Sequence, residues 1–204
     1  MSVSQRKTIC HYPFLLKLVR GAVGGLFALR GWRFERQQPT ARKYVMIVAP
    51  HTSNWDFFLM VVIGAALGRQ ARFMAKDSIF KGLLGRLLRW LGGVAVERGS
   101  HHNFVAQMVD LFKETDDMVL IIAPEGTRSK VAEWKGGFYH IAAGAGVPII
   151  AAQLDYAKRT VSLAPEYHPS GDLSSDLPQI QSAYKDVTAK YPEQDSSCCS
   201  VPNN

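Results

Sequence analysis

Tyr44-Val-Met-Ile-Val-Ala-Pro-His-Thr-Ser-Asn-Trp-Asp56 decides how the chain folds. Its first six residues show no polar alternation and are bounded by a proline, the pattern of a short strand buried on both faces of a parallel sheet. The wording returns as Met118-Val-Leu-Ile-Ile-Ala-Pro-Glu-Gly-Thr-Arg128. Around these two runs the pattern alternates. Residues 57–67 (FFLMVVIGAAL) are too long for a strand and predict a buried helix, residues 72–75 and 94–96 brief strands, and residues 79–91 and 103–113 amphipathic helices. A helix over 138–145 stops near Gly146, strands follow over 147–154 and 160–163, and a last helix spans 177–190. Alternating strands and helices predict an α/β fold, a mostly parallel central sheet flanked by helices with right-handed crossovers. Functional groups in such sheets gather beyond the carboxyl ends of the strands, so two strands that both finish in Ala-Pro deliver His51 and Glu125 to one edge.

With 204 residues, 47% of them apolar, the chain supports one core with appendages. Residues 44–190 are expected to form the domain, residues 1–43 a basic amphipathic N-terminal segment, and residues 191–204, which end SSCCSVPNN, a disordered tail. The net charge of +7 is uneven: residues 1–43 carry nine Lys and Arg against Glu35 alone, and residues 57–100 carry seven against Asp77 and Glu97. This asymmetry reads either as a solvated basic face or as a surface for an anionic partner. Residues 12–29 hold an apolar run interrupted by Lys17 and Arg20, with no clear cleavage site and too few uninterrupted apolar residues to span a bilayer. On a helix, Phe14, Leu15, Leu18, Val19, Ala22, Val23, Leu26 and Phe27 share a face, as in a core helix or in one lying on anionic lipid. The flanking arginines favour lipid, giving a membrane-associated protein on the cytoplasmic face. Nucleic acid is excluded as a partner, because the basic stretches are apolar and carry no recognition motif. Cys10, Cys198 and Cys199 form neither a disulfide framework nor a metal-ligand pattern, and the six His show no paired spacing, so no metal is expected.

His51 and Asp56 are five residues apart, about 140° around a continuous helix, and cannot meet on one. With His51 in the loop after the strand and a helix starting near Ser53, Asp56 reaches back to the imidazole. The same residues read equally as a cap, since Ser53-Asn-Trp-Asp56 is a capping box in which Asp56 accepts the Ser53 N–H. A carboxylate has two oxygens, so the two readings are compatible. A carboxylate behind one ring nitrogen fixes the tautomer and makes the other more basic, so that His51 can take a proton from a hydroxyl. No nucleophile elbow accompanies the pair, which favours direct attack by a substrate hydroxyl over an acyl-enzyme.

Pro124-Glu-Gly-Thr-Arg-Ser129 follows the second buried strand. Gly126 allows a turn with exposed N–H groups, and Thr127, Arg128 and Ser129 add donors suited to phosphate, with Glu125 pairing an arginine. The alternative is a tight turn with a surface ion pair. Arg98, after the short strand at 94–96, is a second candidate for an anion.

These residues resemble the glycerophospholipid acyltransferases, the family of 1-acylglycerol-3-phosphate acyltransferase, over residues 44–155. His51-Thr-Ser-Asn-Trp-Asp56 matches the H-x4-D block, Gly93-Val-Ala-Val-Glu-Arg98 the second block, Pro124-Glu-Gly-Thr-Arg-Ser129 the third and Val147-Pro-Ile-Ile150 the fourth. H-x4-D alone says little; followed about seventy residues later by P-E-G-T-R-S it is specific. The resemblance implies acyl transfer from acyl-CoA or acyl carrier protein to the free hydroxyl of a lysophospholipid, most simply one like lysophosphatidic acid. It implies His51 as general base, Asp56 as its orienting carboxylate, Arg98, Glu125, Gly126, Thr127 and Arg128 as the phosphate pocket, Val147 to Ile150 on the acyl-donor side, and no cofactor beyond the acyl donor. Pro50, Ala123 and Ala151-Ala-Gln153 depart from the family's usual residues and bear on specificity. A different lyso-lipid acceptor, or a catalytically silent membrane-binding module of the same fold, would use the same blocks.

Overall fold

A computed structural model describes residues 7–35, 39–67, 69–96 and 101–197. Among the described residues seven strands form one sheet: β1 (Arg33–Phe34), β2 (Lys43–Ala49), β3 (Ala71–Lys76), β4 (Gly93–Val96), β5 (Met118–Ile122), β6 (Ile149–Asp155) and β7 (Thr160–Leu163). Their order is β1-β7-β6-β2-β5-β3-β4, with every neighbouring pair parallel except the β6–β7 hairpin. The two expected Ala-Pro strands, β2 and β5, are therefore direct neighbours at the centre.

The unbroken apolar run of β2 has a simple cause. Tyr44, Met46 and Val48 point to one face and Val45, Ile47 and Ala49 to the other, and all six are fully buried. The first face is covered by α1 (Pro13–Leu29), α2 (Asn54–Leu67) and Leu88 of α3 (Gly82–Trp90); the second by α4 (His101–Glu114), α5 (Gly137–Ala145) and α6 (Leu173–Ser182). A strand wetted on neither face has no use for polar residues.

Three expectations are corrected here. The described residues before 44 are not a segment apart from the domain: β1 joins the sheet beside β7, and α1 buries Phe27 against the core and Leu16 in a smaller cluster with Ile9, because part of its apolar stripe is covered by protein. The last helix starts earlier than residue 177, because the Asp172 side chain accepts the N–H groups of Ser174 and Ser175 and caps it there. Residues 191–197, expected to be disordered, are ordered: Ser196 and Ser197 are buried, and the Ser196 carbonyl accepts the Trp134 indole N–H at 2.8 Å. The anchor is a buried indole that needs an acceptor.

Candidate active site

The loops after β2 and β5 leave the sheet side by side, since Ile47 and Ile122 are register partners. This adjacency sets the site. The Glu125 side chain, 2% exposed, reaches under the neighbouring loop, and its Oε2 accepts the His51 backbone N–H at 2.9 Å. Its Oε1 is buried and has no hydrogen-bond partner among the described residues. Burial, aided by the charges of Asp195 and Asp56 and opposed by the His51 N–H, pushes the Glu125 carboxyl up to about 8. Glu125 thus lies beneath the histidine and braces its backbone.

Asp56 lies in the first turn of α2 and is fully buried. Its Oδ2 accepts the N–H groups of Thr52 at 2.8 Å and Ser53 at 2.7 Å, while Ser53 Oγ accepts the Trp55 N–H at 3.1 Å. The capping reading is therefore realised. His51 Nδ1 lies 3.4 Å from the same Oδ2, an ion-pair distance without hydrogen-bond alignment. The pairing reading is realised too, in a looser form. The ring is partly exposed while Asp56 is sealed, and it is Nδ1 that faces the carboxylate.

The second oxygen of Asp56 has a partner that sequence reading missed. Tyr156, just after β6, donates its hydroxyl to Oδ1 at 2.5 Å, and its ring meets Trp32 edge-on with centroids 5.0 Å apart. Burial, and then the bond to Asp56, push the Tyr156 hydroxyl above its ordinary range, so it stays protonated and donating. The strand-end rule that flagged His51 and Glu125, applied to β6, would have found it.

The β5 loop turns at Gly126, whose φ of +66° suits glycine and whose Cβ, if present, would meet the Lys135 side chain at 3.0 Å. The Gly126 N–H closes the turn onto the Ala123 carbonyl at 3.1 Å. Thr127 Oγ1 accepts the Ser129 N–H, and Arg128 donates to the Asn54 side chain at the start of α2. Arg128 thus reaches the start of the helix that follows the His51 loop. Arg98 lies outside the described residues. Val147 to Ile150 sit at the amino end of β6, where Val45 pairs with Ile149, so this fourth block fills the core at the end of the sheet away from His51.

The ordered tail closes one side of the site. The Tyr191 N–H donates to Thr52 Oγ1 at 3.2 Å, the Gln194 amide reaches the carbonyls of Arg128 and Thr52, and the Lys190 ammonium sits 5.3 Å from the Trp55 ring. An open cleft remains between Asn54, Trp55, Arg128, Lys190 and Tyr191. Nothing in the composition of residues 190–197 signals this role.

Residues 32–154, more than half the chain, match the family described as Acyltransferase. The chain belongs to the acyltransferase family. It is 28% identical over 148 residues to the 1-acyl-sn-glycerol-3-phosphate acyltransferase of Haemophilus influenzae, covering 68% of this chain and 60% of that protein. It is 29% identical over 150 residues to the enzyme of the same name from Escherichia coli, covering 69% and 60%. The chain thus spans about 60% of the length of these relatives. The fold is similar to the crystal structure of the 1-acyl-sn-glycerophosphate (LPA) acyltransferase from Thermotoga maritima, with a TM-score of 0.62 and 19% identity over 84% of this chain and 77% of that one. His51, Asp56, Glu125, Gly126, Thr127 and Arg128 all fall inside the residues matched to the acyltransferase family.

Proposed function

We propose that this protein transfers a fatty acyl group from a thioester, acyl-CoA or acyl carrier protein, to the free hydroxyl of a lysophospholipid of the lysophosphatidic acid type. One observation carries the reading. A partly exposed imidazole backed by a sealed carboxylate stands at the sheet rim, and Arg128 reaches its loop from the next strand. Family membership and the names of the similar enzymes support the same chemistry.

The steps follow from the groups present. The acceptor hydroxyl attacks the thioester carbonyl as the free nitrogen of His51 takes its proton, and the Asp56 carboxylate, 3.4 Å from the other nitrogen, stabilises the imidazolium. The tetrahedral adduct collapses with loss of the C–S bond, and the imidazolium returns the proton to the departing thiolate. Ester and thiol are the products, with protons balanced. Arg128 holds the acceptor's phosphate by charge-assisted bonds, and Arg98 is assigned the same role by its place in the second block. Glu125 acts from beneath, fixing the His51 backbone. General-base assistance supplies about 10²- to 10⁴-fold, and alignment of hydroxyl and thioester supplies much of the remainder.

The acceptor is a lipid, and α1 suits an anionic membrane surface. Its inner stripe of Leu16, Val19, Val23 and Phe27 faces the protein, whereas Phe14, Leu18, Leu26 and Leu29 face outward beside Lys17 and Arg20. Among the described residues no helix is long and apolar enough to cross a membrane. The test of the acyl-transfer reading is His51→Ala. Ester formation, followed by mass spectrometry of the lipid products, is expected to vanish while the circular dichroism spectrum is unchanged. Undiminished transfer by that variant excludes His51 as the base.

A further inference from the structure

α3 shows to solvent what a helix in a folded domain ordinarily buries. Gly85 and Leu88 face inward, while Leu83 is 81% exposed, Leu84 61% and Leu87 49%, with Ile79 in the preceding turn at 40%. Single exposed leucines are common; a cluster of large apolar side chains on one helix marks a surface with a partner. The helix cannot roll to hide them. A Cβ at Gly85 would fall 2.1 Å from the Phe80 carbonyl, so only this glycine edge fits against the turn.

The chemistry around the leucines identifies the partner. Lys81 and Arg86 are exposed beside them, Lys76 is exposed just ahead of the turn, α3 itself carries no acidic residue, and Asp77 in the turn is the exposed acid among them. A second copy of the chain, docked across a two-fold axis, would bring Lys76, Lys81 and Arg86 opposite their own mates, with Asp77 too little to offset them. Exposed leucines rimmed by cations match the interface of an anionic bilayer, where side chains enter the acyl boundary and lysine and arginine meet the head groups. α3 also starts directly after the turn that follows β3, at the end of the sheet where His51 stands, and its far end meets α1, since Trp90 and Leu91 pack with Ile9 and Leu16.

We propose that the outer face of α3, formed by Ile79, Leu83, Leu84 and Leu87 with Lys81 and Arg86, docks on an anionic lipid bilayer and is a contact distinct from α1. That docking presents the catalytic rim to a lipid acceptor rests on the acyl-transfer reading; the docking itself does not.

Flotation of the full chain with vesicles of phosphatidylcholine, with and without phosphatidylglycerol, tests this. The Leu83→Glu/Leu87→Glu double variant alters two exposed side chains and is expected to fold normally. It should lower the fraction bound to phosphatidylglycerol vesicles at least about tenfold although α1 is intact. Arg86→Ala should weaken binding to those vesicles while leaving binding to phosphatidylcholine unchanged. Equal flotation of wild type and double variant overturns the proposal. So does a wild type that ignores vesicles, whether monomeric or as a dimer that the double variant splits in gel filtration. Acyl transfer, assayed separately with a monodisperse short-chain acceptor, should be the same in wild type and double variant. A chain that floats through α3 yet transfers no acyl group would retain the docking and lose the catalytic reading.

Discussion

The two central strands end alike and do opposite things. β2 and β5 both run into Ala-Pro and a carboxylate at the same rim, yet Asp56 accepts hydrogen bonds from Thr52, Ser53 and Tyr156, whereas Glu125 accepts one, from the His51 backbone. Both are buried. The difference lies in the donors supplied: a helix start offers Asp56 a ring of N–H groups, while Glu125 Oε1 has no partner among the described residues and burial pushes the carboxyl up to about 8. Position at the rim does not assign a carboxylate its role; its hydrogen-bond partners do.

The comparison breaks most severely at Asp56. Asp56→Asn keeps an oxygen for the cap but removes the charge facing His51, so turnover should fall about 10²- to 10⁴-fold with a near-normal circular dichroism spectrum. A variant retaining wild-type turnover would reduce Asp56 to a helix cap. The Glu125 side sharpens the contrast through pH. A carboxyl whose pKa rises from 4.5 to about 8 on folding adds stability that is fully present below the lower value and is lost as pH climbs through the upper one. Urea unfolding of the wild type should therefore weaken between pH 5 and pH 8, by on the order of 3 kcal/mol relative to Glu125→Gln, which cannot ionise. Parallel curves for the two proteins would show that Glu125 is ionised throughout.

Arg128→Ala tests the exposed end of the β5 loop. Loss of a charge-assisted phosphate contact, about 1.5 to 3 kcal/mol, should raise the acceptor KM roughly 10- to 100-fold with kcat little changed. A loss confined to kcat would move Arg128 from substrate binding to support of Asn54. The smallest effect belongs to Tyr156→Phe. Removing one donor from a carboxylate that keeps two should cost about 1 kcal/mol, seen as a roughly fivefold loss of kcat at unchanged acceptor KM. An unchanged kcat would leave Tyr156 a packing residue against Trp32.

Much of this was legible in the chain. The six-residue apolar run of β2 could only be a strand covered on both sides, and His51, Glu125 and Arg128 were located because polar residues follow such strands. β1 was hidden because two residues carry no period, and the start of α6 because Pro178, an ordinary helix breaker, lies inside the helix beyond its Asp172 cap. The ordering of residues 191–197 was invisible because its cause, the Trp134 indole and the loop of Thr52, lies far away in sequence.

The sequence by itself determined what each segment can do: which runs must be buried, where the chain must turn, and which side chains bring a proton acceptor or a cation to a strand end. These are short-range properties, set by a residue and its near neighbours. Tertiary structure alone decided who meets whom. Glu125 reaches the His51 backbone because β5 lies beside β2, and Tyr156 reaches Asp56 because β6 lies on the other side. Strand order is chosen by the packing of the entire sheet, so contacts between residues 74 and 100 positions apart are written in no local pattern.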